Sequence, residues 1–137
     1  MRLVRCGEVG EEIPGLIDAH GIIRDLTGHV DDIDGGMLDD ASLARLRRLD
    51  HASLPVIDPD TRMAPCLVNA GKFLCIGLNF HDHAKETGLP IPAHPILFMK
   101  ATSSISGAND PIVRPRNAQQ IDWEVELGVV IGKAAKY

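Results

Sequence analysis

The stretch Asp122-Trp123-Glu124-Val125-Glu126-Leu127-Gly128-Val129-Val130-Ile131-Gly132 decides how the chain is read. It is rich in β-branched residues and closes on a glycine, the pattern of a strand. A strand sends alternate side chains to opposite faces. Trp123, Val125, Leu127, Val129 and Ile131 then form one apolar face, and Asp122, Glu124 and Glu126 share the other. Three carboxylates on one face repel one another unless solvent, a cation or protonation relieves them. Hard divalent ions take oxygen ligands, so Glu-x-Glu on a strand fits a half-site for Mg²⁺ or Mn²⁺. A solvated edge strand with its acids in water is the plainer reading, and the stretch alone leaves the metal half-site open beside it.

Working back along the chain, Ile112-Val113 starts another strand, after the turn Asn109-Asp110-Pro111 and the polar loop Thr102–Gly107. Ile96-Leu97-Phe98-Met99 is a short strand leading to Lys100. Lys72-Phe73-Leu74-Cys75-Ile76 is a strand of buried type that ends at Gly77. Gly77 and Asn79 suit the turn into a short helix over 80–87, with Asn79 as its cap and Gly88 as its terminator. Three prolines, Pro55, Pro59 and Pro65, mark an extended linker before this region.

Residues 1–65 read as a small unit of their own, with 66–137 as a second. Leu3–Cys6 is a short strand, and His20-Gly21 a hairpin-like turn between two apolar runs. Asp39-Asp40 can cap a helix through Ser42–Leu49, where Leu43, Leu46 and Leu49 make a narrow apolar stripe. Asp31-Asp32-x-Asp34 lacks the spacing and the bidentate Glu of a calcium loop, and reads as a solvated turn. The expected class is α+β and β-rich. The apolar face of 122–132 needs partners to bury it. We therefore expect either a fragment of a longer enzyme or partners supplied by another chain.

At 137 residues the chain suffices for one domain with a core, or for part of a larger one. A net charge of −5 argues against nucleic acid or an anionic membrane as partner. No apolar run is long enough to cross a bilayer, and the first eight residues lack a signal peptide's apolar core. Cys6, Cys66 and Cys75 are odd in number and widely spaced, which fits reduced thiols in the cytoplasm, with Cys75 a buried small hydrophobe.

Several groups can carry chemistry. His83 and Glu86 are three apart on the short helix and face the same way, which suits either a general-base pair or a surface ion pair. Lys100, at a strand end before a Ser/Thr loop, can hold a substrate carboxylate as a point charge or snorkel to water. No Ser–His–Asp arrangement, P-loop or GxGxxG fingerprint is legible. Carboxylates, a His–Glu pair and a lysine together suit lyases and C–C hydrolases of 2-oxo acids, where charge on an enolate must be stabilised and water activated.

Four blocks resemble the fumarylacetoacetate hydrolase family. They are Cys75–Glu86, Pro95–Lys100, Asn109–Val113 and Asp122–Gly132, in that order, covering residues 72–133. The preceding region resembles the small N-terminal domain of bacterial members named ureidoglycolate lyase or 2,4-diketo-3-deoxy-sugar-acid hydrolase. The resemblance implies a mixed β-sheet roll with the site inside its mouth. It implies Mg²⁺ or Mn²⁺ on Glu124, Glu126 and a third acid on a later strand, with Asp122 left structural. It implies His83 and Glu86 as the catalytic dyad, Lys100 as a substrate contact, and a homodimer acting on a small anionic 2-oxo acid. The expected activity is metal-dependent C–C hydrolysis of a 2,4-dioxo acid. Alternatives on the same fold are ureidoglycolate lysis and oxo-acid decarboxylation or isomerisation. The alternative from another class is a truncated, non-catalytic binding subunit.

Overall fold

Alternating side chains at the N-terminus build a three-stranded antiparallel sheet, in the order β1 (Arg2–Cys6), β2 (Ile13–Ile17), β3 (Ile23–Asp25). The computed structural model describes residues 1–136. Leu3 pairs with Leu16 and Leu16 with Arg24 on one face, while Cys6 pairs with Ile13 and Ile17 with Ile23 on the other. The turn at His20-Gly21 forms the expected hairpin. Asp18 ties it by accepting from the His20 and Ile22 amides and from Arg24 Nε at 2.9 Å. Gly21 takes a φ of +81°, which a side chain would resist.

Each face of this sheet has its own core. Leu16 packs with Leu26, Ile33, Met37, Leu46 and Leu54 on one side. Val4 and Cys6 pack with Ile57, Ile13, Ile17, Ile23 and Met63 on the other. Leu46 comes from α1 (Asp40–Arg47), whose first turn is capped by Asp39 accepting from the Ala41 and Ser42 amides. Hydrogen bonds from Ser42 and from those amides hold the Asp39 carboxyl below its ordinary range.

Two readings of this region need correction. The proline-marked stretch 55–65 is not a free linker. Val56 bridges Arg24, the Ile57 amide donates to Ile23, the Ala64 amide donates to Arg5, and Ile57 and Ala64 are buried. Fixed φ at the prolines makes the segment extended, and an extended segment can lie along a sheet as readily as it can span a gap. Asp31–Asp34 is likewise more than a solvated turn. Asp32 takes a bidentate bond from buried Arg5, at 2.7 and 2.9 Å, and Asp34 caps a 3₁₀ turn at Gly35–Met37.

The chain forms two units: residues 1–69 with those from Ser106 onward, and Ala70–Ile105. In the first, residues 107–110 are held by charge. Arg62 donates Nε and Nη2 to Asp110 at 2.6 Å each, and Nη1 to Glu12 at 3.2 Å and to the Gly7 carbonyl. The Gly107 amide donates to the same Asp110 carboxylate, and a Cβ on Gly107 would overlap the Met63 carbonyl, so only glycine fits there. The Arg62 bonds and the Gly107 amide keep the Asp110 carboxyl below its usual range, and Asp110 in turn raises Arg62.

The second unit is an antiparallel pair, β4 (Phe73–Gly77) and β5 (Ile96–Lys100), with α2 (His81–Glu86) between them in sequence. The strands stand where expected, but β4 is not of buried type. Leu74 is half exposed and every residue of β5 is exposed. Apolar composition alone calls for burial, but burial also needs a covering layer. Cys75 is accordingly only partly buried.

The decisive stretch itself departs from expectation. Residues 121–132 form no helix, strand or bridge, and neither do Ile112-Val113. A β-strand exists by its ladder, and no described residue pairs with this segment. Trp123, Val125, Leu127, Val129 and Ile131 are 72–85% exposed, so alternation is written in the sequence without a surface to act on. The α+β class stands: the described residues form two antiparallel sheets and two short helices. Among the described residues no helix is long and apolar enough to cross a membrane.

Candidate functional site

α2 is a six-residue helix anchored by Ala84, its one buried residue. Its N-cap is Phe80, which makes no side-chain cap, so Asn79 does not cap it as expected. The turn from β4 also differs from the sequence reading: the left-handed residue is Leu78, at φ +49°, and neither Gly77 nor Asn79. At the C-terminal end, the Thr87 hydroxyl donates to the His83 carbonyl and Gly88 closes the helix at φ +69°. Asparagine and glycine are the usual occupants of such turns, which is why the sequence pointed to the flanking residues.

His83 and Glu86 lie one helical turn apart and share a face. His83 is half-buried and Glu86 exposed. Neither side chain makes a hydrogen bond or ion pair to a described residue, so both are free to meet a water or a substrate.

Lys100 ends β5, opposite Phe73 in the ladder. α2 leaves from the other end, beyond Gly77, which pairs with Ile96. Four ladder positions separate those ends, about 13 Å at strand rise. Lys100 shares its face of the pair with Phe73, Cys75, Ile96 and Phe98. Leu97 and Met99, on the other face, are 63% and 66% exposed, so Lys100 projects from the more protected face.

Glu124 and Glu126 belong to the first unit. Both are exposed, and neither is held by a hydrogen bond or an ion pair with a described residue. Their chemistry fits a hard divalent cation: two carboxylates, two positions apart. Asp122, the residue set aside as structural, accepts from the Trp123 amide at 2.8 Å. Among the described residues no group of three His, Cys, Asp or Glu side chains converges on a point. Two carboxylates alone leave most of an octahedral shell to water or substrate.

Two features escaped the sequence reading. The Arg62–Asp110 clasp joins residues 48 apart, and no local pattern announces such a pairing. Leu78 in the left-handed region is equally silent, since leucine rarely takes it.

Residues 72–137 match the family model described as Fumarylacetoacetate (FAA) hydrolase C-terminal. The chain is 52% identical over 136 residues to a Burkholderia lata protein named "Putative hydrolase", covering 99% of this chain and 48% of that protein. Relatives of the same description in Burkholderia multivorans and Burkholderia cenocepacia are 53% and 52% identical over the same coverage. The chain thus spans about half the length of the curated relatives it matches.

Proposed function

From residues 72–137, which belong to the fumarylacetoacetate hydrolase family, we propose a metal-dependent hydrolase that cleaves a C–C bond in a 2,4-dioxo acid. The observation that carries this reading is that His83 and Glu86 share one face of α2 inside the family-matched segment, neither of them bonded to a described residue. Glu86 orients the imidazole and balances the charge it gains. His83 takes a proton from water, and the resulting hydroxide attacks the 4-oxo carbon. The bond between carbons 3 and 4 then breaks. Its electron pair passes to the 2-oxo acid fragment as an enolate, and the imidazolium proton returns to that fragment. The other product is a carboxylic acid. Lys100 holds the substrate carboxylate as a point charge. Glu124 and Glu126 are the ligands we assign to Mg²⁺ or Mn²⁺, which when bound supplies positive charge beside the oxo and carboxylate oxygens.

We also place the protein in the cytoplasm as a homodimer. The exposed apolar side chains at Trp123, Leu127 and Ile131 support association of some kind.

The test uses the product of the native gene with Mn²⁺ and a panel of acylpyruvates, 2,4-diketo sugar acids and ureidoglycolate. Glu126→Ala should abolish turnover and weaken Mn²⁺ binding measured by calorimetry. Near-normal activity after chelation of the metal sinks the assignment. Turnover of ureidoglycolate alone moves the reaction to the lyase class.

A further inference from the structure

We propose that Leu78 is a positioning residue: its left-handed backbone sets the direction in which the helix bearing His83 and Glu86 leaves β4. The inference rests on the reading of those two residues as the dyad. Only two non-glycine residues among those described have positive φ, Asn69 and Leu78. Asparagine tolerates that region, whereas leucine is opposed in it by its Cβ. Unfavourable backbone of this kind persists only where its surroundings hold it, and it concentrates at functional sites.

The surroundings here are specific. β4 ends at Gly77 and the N-cap of α2 is Phe80, so residues 78 and 79 make the whole turn. A Cβ on Gly77 would meet Ile96 and Phe98 across the ladder at 3.4–3.7 Å, ordinary contact, so the strand end has neighbours on that face. α2 has no side-chain cap to fix its start, and a helix of six residues is too short to hold itself. Its direction therefore depends on two things: the covalent turn at Leu78 and the burial of Ala84, which is 1% exposed. Ala84 lies between His83 and Lys85, so a swing at residue 78 pivots the helix and carries both dyad side chains with it. Leu78 is itself only partly buried.

The discriminating substitutions are Leu78→Ile and Leu78→Asn. Isoleucine keeps every atom of leucine but moves the branch to Cβ, where positive φ is least tolerated. Asparagine discards the apolar side chain but accepts the left-handed region. Two readouts are taken on the full chain: kcat and KM with Mn²⁺ and the turned-over substrate, and backbone amide NMR shifts of residues 80–87. Leu78→Ile should lower kcat about tenfold or more with KM nearly unchanged, because misplacement of reacting groups costs rate rather than binding. It should also move the amide shifts of 80–87. Leu78→Asn should keep both near wild type. If Leu78→Ile fails to fold, Leu78→Ala takes its place, with an intermediate loss expected. Wild-type shifts and kcat in the folded Leu78→Ile variant overturn the proposal. So does an equal loss in Leu78→Asn, which would assign the effect to side-chain packing. If the wild type turns over no member of the panel, the dyad reading fails, while the amide shifts still decide what sets the direction of α2.

Discussion

Truncating Leu46 to alanine tests the core that carries the first unit. Leu46 is fully buried and is the one buried residue of α1, packed with Leu16, Leu26, Ile33, Met37 and Leu54. The change removes three carbons, at about 0.8 kcal/mol each, or ~2.4 kcal/mol of transfer free energy. The cavity left behind adds to this, because neighbours on a sheet and in a capped turn collapse only partly, which brings the loss to about 3 kcal/mol. With a urea slope of about 1.5 kcal/mol per molar, the midpoint falls by about 2 M. Far-UV circular dichroism reads it. Leu43→Ala is the control: Leu43 lies on the same stripe but is only partly buried, so its midpoint should move by less than about 0.7 M. A shift for Leu46→Ala no larger than the control's refutes the claim that α1 is attached through Leu46. A changed slope would show instead that the substitution altered the denatured state.

Two further outcomes follow from charge and exposure. Burial pushes the Glu12 and Asp18 carboxyls up, but bonds outweigh it: the Gly10 amide and Arg62 at Glu12, and the Ile22 amide and Arg24 at Asp18. Both therefore sit below their ordinary values, as Asp39 and Asp110 do. A carboxyl depressed in the folded state contributes stability that is complete above its unfolded value, 3.8 for Asp and 4.5 for Glu, and is lost as pH falls through the folded one. Urea midpoints should be flat above about pH 5 and fall steadily below about pH 4, with a shallower fall in Asp110→Asn; an unchanged acid limb in that variant would remove Asp110 from the account. Trp123, the single tryptophan, is 80% exposed. Its emission should be water-like and open to acrylamide quenching in this chain, and a buried, unquenched spectrum would contradict the exposure of the 121–132 segment.

What was legible in the sequence was local. The His20-Gly21 hairpin, the Asp39 cap, both strands of the second unit and the short helix between them all follow from signals within about six residues, because turns, caps and alternation are short-range physics. The family blocks were legible for the same reason: each is a run of neighbouring residues with a required chemistry. The Asp31–Asp34 turn and the 55–65 stretch misled because their partners, Arg5 and the sheet faces, lie far off in the chain.

By itself, then, the sequence determined which residues can alternate, cap, turn and carry charge. Only the tertiary structure decided which of them find partners. Trp123 to Ile131 has a strand's alternation but no ladder, because alternation belongs to one segment whereas pairing belongs to two. Arg62 and Asp110 became a clasp by folding across 48 positions. Leu78 took the left-handed turn that its neighbours Gly77 and Asn79 were better suited to take, because the conformation of one turn answers to the strand and helix it joins as well as to its own residue type.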